Sequence, residues 1–173
     1  MVEGRSIPSV ALQERLVETL FQIHGLESGT ADEVLNPFGI EQLPQDRKSC
    51  IGDDVTLMWN GPGEWLFESE FRPADETLRL LRERFVSTDA TVTDLSSART
   101  IVRISGSSRR DFLKKGCPAD IDAMTGGDVI TSLIGHFTAT IHCRSDSFDV
   151  YVLQSFGTDF WHWCRQSIRE FNI

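Results

Sequence analysis

The sequence predicts an α+β fold built from two related strand–turn–strand–helix halves that share one core. Three observations carry that prediction. Val55 to Phe71 forms two apolar-rich runs broken at Asn60-Gly61-Pro62-Gly63, and a helix-forming segment follows. The same order returns near the end of the chain: Phe137 to Arg144, the turn Ser145-Asp146-Ser147, Phe148 to Gln154, then a helix over Asp159 to Phe171. The two helices also close alike, in Arg82-Glu83-Arg84-Phe85 and Ile168-Arg169-Glu170-Phe171. Few residues are shared, so the repeated order of elements carries more weight than the identities.

Taken in order, Ser6-Ile7-Pro8-Ser9 has the form of a helix entry. Val10, Leu12, Leu16, Val17, Leu20 and Phe21 follow at near-helical spacing, and Gly25 supplies a stop. Residues 26–54 carry Gly29, Asn36-Pro37, Gly39, Pro44 and Gly52-Asp53-Asp54 without a sustained period, which reads as irregular chain. So long an irregular run is uncommon in a self-sufficient domain. Residues 1–52 are therefore expected to form an N-terminal helix and an irregular segment in contact with a partner, and residues 53–173 the α+β domain proper.

Within that domain, Val55-Thr56-Leu57-Met58-Trp59 and Glu64 to Phe71 are expected strands around a turn. Pro73-Ala74-Asp75-Glu76 opens a helix with acid in its first turn; Leu78, Leu81 and Phe85 share a face, and Arg82 and Arg84 suit its C-terminal dipole. Thr100 to Ser105 alternates as a strand. Ser107-Ser108-Arg109 to Lys115 is then a short helix, capped by a serine and stopped at Gly116. Thr158 is the expected cap of the last helix, whose Phe160, Cys164, Ile168 and Phe171 lie along one side.

Chain-wide properties narrow the function. A chain of 173 residues fits one domain or two small packed halves, and can bury a core without metals or disulfides. A net charge of −9 opposes a nucleic-acid backbone or an anionic membrane as main partner. The start, Met1 to Val10, lacks a basic-then-apolar signal pattern, and no apolar stretch approaches a membrane span. Cys50, Cys117, Cys143 and Cys164 are widely spaced with no CxxC pair, so a reduced cytoplasmic protein is expected.

Candidate chemistry is sparse. His136 and His142 would share one strand face but lie about 20 Å apart at ~3.3 Å per residue, too far to bind one metal. Cys117 follows a helix end, where the dipole favours cations, and Cys164 falls on an apolar helical face; neither looks activated. Gly61-Pro62-Gly63 lacks the Lys-Ser/Thr of a phosphate loop and joins strands, and Gly126-Gly127 reads as loop.

Thr93-Asp94-Leu95-Ser96-Ser97-Ala98-Arg99 offers an acid, hydroxyls and a guanidinium before a strand. With no histidine nearby in sequence, an Asx-type turn with Asp94 bonding the backbone near Ser96 is the simpler reading. Four tryptophans remain as interface candidates: Trp59 and Trp65 around the first hairpin, and Trp161 and Trp163 on the last helix. The helical pair, two residues apart, diverges; one can enter the core while the other reaches a neighbouring chain or lies exposed.

Gly61-Pro62-Gly63-Glu64-Trp65-Leu66-Phe67, the run Thr93–Ile121 (TDLSSARTIVRISG into SSRRDFLKKGCPADI) and the closing Trp161–Phe171 together resemble the gamma subunit of heterotetrameric sarcosine oxidase. The resemblance covers roughly Asp53 to Phe171. The middle motif is also similar, more distantly, to the folate-binding aminomethyltransferase fold. The resemblance implies an accessory gamma subunit in a complex that demethylates sarcosine oxidatively to glycine, with tetrahydrofolate taking the one-carbon unit. FAD, FMN, NAD, tetrahydrofolate and zinc would then belong to the alpha, beta and delta subunits, with none bound by this chain and no catalytic residue on it. Related complexes oxidise other N-methylated amines. The alternatives are a stand-alone folate-dependent one-carbon protein using Asp94 and Arg99, and a non-enzymatic interaction module.

Overall fold

The computed structural model describes residues 9–171. Its elements are β1 (Ala11–Arg15), β2 (Thr19–His24), α1 (Ser28–Leu35), β3 (Ser49–Ile51), β4 (Thr56–Gly61), β5 (Glu64–Ser69), α2 (Ala74–Phe85), β6 (Thr91–Asp94), β7 (Arg99–Ser105), α3 (Arg109–Lys114), β8 (Val129–Ile134), β9 (Phe137–Cys143), β10 (Ser147–Leu153) and α4 (Gly157–Ser167). Two five-stranded sheets result, in the orders β1-β7-β10-β9-β8 and β3-β4-β5-β2-β6. The fold is α+β, as predicted. Each sheet contains one of the two hairpin-then-helix repeats, β4-β5-α2 and β9-β10-α4.

The chain divides into two compact units. Among the described residues, one comprises those up to Arg15, Thr100–Gly126 and those from Thr131 onward; the other comprises Leu16–Arg99 and Gly127–Ile130. These units do not separate at residues 52 and 53.

The expected N-terminal helix is corrected to two strands; its entry residues Ser6, Ile7 and Pro8 lie outside the described residues. Thr19, Phe21 and Ile23 on one face of β2 are buried; on the other face Leu20 is buried, Gln22 half-buried and His24 exposed, so the adjacent buried pair Leu20-Phe21 blurs the period-2 signal. The contiguous apolar run that remains fits a helical spacing equally well. β1 hides its identity differently: Gln13 and Glu14 are exposed while a charged residue, Arg15, is buried.

The expected irregular segment contains α1 and β3. Leu35, Phe38 and Ile40 from it are buried in a cluster with Phe21, Leu57, Phe67 and Leu81. The Phe67 ring lies edge-on to Phe38 at 5.0 Å and stacked on Phe21 at 6.2 Å. This segment is ordered by packing on its own unit. Two further strands escaped the pattern: β6, four residues with mostly exposed side chains, and β8, at a sheet edge.

In the other unit, Leu12, Val102 and Ile104 share a face of the sheet, because Leu12 pairs with Ile104 and Glu14 with Val102. The register of β10 on β9 sets Phe148, Val150 and Val152 opposite Cys143, Ile141 and Ala139. The opposite parity carries Arg15 and Arg103, and Asp149 and Tyr151 beside His142 and Thr140, most of them buried. Charge is thus placed inside the fold on one parity while apolar side chains fill the other.

Candidate functional site

The Asp94 segment folds as a brace. Asp94 Oδ1 accepts a hydrogen bond from the Ser96 backbone N–H at 2.8 Å, the expected Asx-type turn. Ser96 Oγ in turn accepts from the Leu20 N–H at 3.0 Å, and the Leu95 N–H donates to the Leu20 carbonyl at 2.8 Å. The turn therefore ties the end of β6 to β2. Arg99 is half-buried, its Nε is enclosed without a hydrogen-bond partner, and burial lowers its pKa. Asp94→Ala is expected to cost about 1 kcal/mol, one net hydrogen bond, read as a lower urea midpoint at unchanged slope.

The other unit holds a buried polar cluster that has no signal in the sequence pattern. Asp149, fully buried on β10, accepts from Arg103 through both carboxylate oxygens, at 2.8 and 2.9 Å. Arg15 Nη1 reaches it at 2.9 Å from β1, and Arg144 Nε also donates to it from the β9–β10 turn. Burial alone would raise the Asp149 carboxyl; the Arg103 hydrogen bonds and the charges of Arg15, Arg144 and Arg103 outweigh it and hold the group below the usual range. One carboxylate thereby cross-links β1, β7 and the β9–β10 hairpin.

His142 sits opposite Asp149 in the β9–β10 register. Burial, then the Arg144, Arg15 and Arg103 charges, push its pKa down from 6.5 to about 4, with Asp149 opposing. The imidazole is therefore neutral in the fold near pH 7, whereas the unfolded chain takes up its proton as pH falls below about 6.5. The unfolded state binds more protons across that window, so stability is full above about pH 6.5 and declines toward pH 4. The contribution is about 3 kcal/mol. Urea titrations between pH 7 and 4 are expected to show that slope, and His142→Gln to flatten part of it. His136 precedes β9, in the turn, with its ring 4.0 Å from that of Phe137. Among the described residues, no three His, Cys, Asp or Glu side chains are grouped to hold a metal ion.

The four cysteines form no disulfide among the described residues, and Cys117, Cys143 and Cys164 are buried. Burial pushes the Cys164 thiol up to about 12, which keeps it protonated.

The tryptophans separate by environment. Trp65 is buried in the core opposite a half-buried Trp59 in the β4–β5 register. Trp163 stacks on Phe160 at 6.1 Å and lies edge-on to Phe112 at 5.8 Å. A Cβ at Gly116 would meet Trp163 Cζ2 at 2.6 Å and the Gly135 backbone nitrogen at 2.8 Å, so only glycine fits the Lys-Gly-Cys-Pro motif there. Trp161, about 200° around the helix from Trp163, is half-buried and borders a cleft.

That cleft, about 210 Å³, is lined by Glu14, Thr100, Gln154, Gly157, Thr158 and Trp161. Two others of about 150 and 160 Å³ lie around Ser87 and Thr88 in the other unit. All three fall below the ~300–1,000 Å³ of a typical small-molecule site.

Comparison with known proteins places this architecture. The family model described as "Sarcosine oxidase, gamma subunit family" matches residues 27–170. The chain belongs to the sarcosine oxidase gamma subunit family. The match begins well before Asp53, so α1 and β3 lie inside the family domain. Sarcosine oxidase subunit gamma of Corynebacterium sp. (strain U-96) is 25% identical to this gamma-family chain over 169 residues, covering 95% of this chain and 82% of that protein. A chain of the heterotetrameric sarcosine oxidase from Corynebacterium sp. U-96, solved with pyrrole 2-carboxylate, superposes with a TM-score of 0.84 at 24% identity, over 95% of this chain and 86% of that one. The glycine cleavage system aminomethyltransferase T from Bartonella henselae gives a TM-score of 0.66 at 13% identity, over 91% of this chain and 45% of that one, a likeness of fold. No helix among the described residues is long and apolar enough to cross a membrane.

Proposed function

We propose that this chain is the accessory gamma subunit of a heterotetrameric sarcosine oxidase-type complex. The complex would oxidise sarcosine to glycine and pass the one-carbon unit to tetrahydrofolate, with FAD, FMN, NAD, the folate and zinc held by alpha, beta and delta subunits. The carrying observation is the match to the gamma subunit family over residues 27–170. One feature of the chain supports a structural use of its most polar motif: the Asp94 and Ser96 side chains bond to backbone groups of their own unit.

Affinity purification of the tagged chain from its native source tests the reading. The expected result is co-recovery of flavin-carrying chains with sarcosine-dependent oxygen uptake. Recovery as a lone monomer that binds tetrahydrofolate overturns it.

A further inference from the structure

The 210 Å³ cleft beside the start of α4 has a composition that the functional reading leaves unused. Glu14 is the one charged residue among the described residues that line it. Among the described residues the Glu14 side chain makes no hydrogen bond or ion pair, and the residue is exposed on β1, the edge strand of its sheet. The N-terminus of α4 contributes a positive dipole end of about half a charge. Asp159 in the first helical turn and Glu14 each carry a full negative charge against it, so the field in the cleft favours a cation.

The remaining walls suit a particular cation. Trp161 presents a half-buried indole beside the acid. Thr100 Oγ1 donates to Gln154 Oε1 at 2.6 Å, fixing the amide and leaving its carbonyl oxygen a second lone pair. A Cβ on Gly157 would meet Thr100 Oγ1 at 2.3 Å, so this wall is closely packed. Leu153 and Phe156, on either side of Gln154 and Ser155 in the chain, are 44% and 45% exposed, and the Phe156 ring is set edge-on to Phe137 at 6.1 Å. An acidic, indole-walled cleft with exposed apolar residues beside it matches a guanidinium, which stacks on aromatic faces, pairs with carboxylates and lays its alkyl stem on apolar surface. The volume suits one side chain and falls short of a cofactor site.

We propose that this cleft is the socket for an arginine side chain presented by another subunit of the complex, with Glu14 as the counter-charge and Trp161 as the stacking wall. This rests on the accessory-subunit reading and assigns it a contact point.

The test uses the co-expressed complex, with the affinity of this chain for the remaining subunits measured by dilution and native mass spectrometry. Glu14→Gln and Trp161→Ala are each expected to weaken association about 10- to 100-fold, the range of an interface hot spot. Added salt should weaken the wild-type complex and affect Glu14→Gln less. Glu76→Gln, an equal charge change on exposed α2, should leave affinity unchanged. Cooperative thermal unfolding of each isolated variant confirms that it folds. Wild-type affinity for both Glu14→Gln and Trp161→Ala overturns the socket, as does an equal loss for Glu14→Gln and Glu76→Gln. Saturable micromolar binding of a free alkylguanidine to the isolated chain also overturns it, in favour of a small-molecule site. If the wild-type chain never joins flavin-carrying subunits, the functional reading fails and the socket with it; undisturbed assembly of the variants overturns the socket alone.

Discussion

Asp149→Ala is expected to destabilise the isolated chain by about 3–5 kcal/mol, enough to leave many domains of this size partly unfolded. The carboxylate is fully buried and accepts hydrogen bonds from Arg15, Arg103 and Arg144. Its removal leaves the Arg15 guanidinium, only 5% exposed, without its carboxylate partner. The cost is chiefly that of the buried Arg15 cation losing this counter-charge. Asp149→Asn keeps the shape and should recover little, because an amide offers one acceptor oxygen and no charge. Equilibrium urea unfolding measures both variants. A loss below about 1 kcal/mol for Asp149→Ala would mean that the cluster is solvated like a surface ion pair.

Phe160→Ala is expected to cost a comparable ~3–5 kcal/mol. The ring is fully buried, edge-on to Phe137 at 5.4 Å and stacked with Trp163 at 6.1 Å, so truncation opens a cavity between a strand and its helix. Trp161→Ala, one residue further along the same helix, removes a larger side chain yet should cost only about 1 kcal/mol, because that ring is half-buried and borders the cleft. The contrast between the neighbours measures how α4 divides its aromatic surface. Equal losses from the two would place Trp161 in the core and remove it from any interface.

What the sequence made legible follows from where polarity and periodicity coincide. The β4–β5 and β9–β10 hairpins were read because their turns carry glycine or small polar residues between apolar runs. α2 was read because its acidic start, basic end and single apolar stripe agree. β2 was illegible because the adjacent Leu20 and Phe21, on opposite faces, are both buried, and β6 because most of its side chains are exposed, so neither alternates cleanly. The Asp94 turn was foreseen because its hydrogen bond spans two residues. The Asp149 cluster could not be, since its arginines come from positions 15, 103 and 144, and an arginine in sequence reads as surface. The tryptophan pair on α4 shows an intermediate case. Helical geometry required Trp161 and Trp163 to diverge, but only packing on Phe112, Phe160 and Gly116 decided which one turned inward.

Under the proposed function, this chain supports assembly while other subunits perform the chemistry. The fate of the one-carbon unit in a complex assembled with Asp94→Ala tests it most directly. Sarcosine oxidation and the partition of the released carbon between tetrahydrofolate and free formaldehyde would be measured together. The expected result is the wild-type rate and the wild-type partition, with only the modest stability loss already assigned to Asp94. Undiminished sarcosine oxidation with formaldehyde released in place of folate capture would contradict it, and would make Asp94 part of the transfer site.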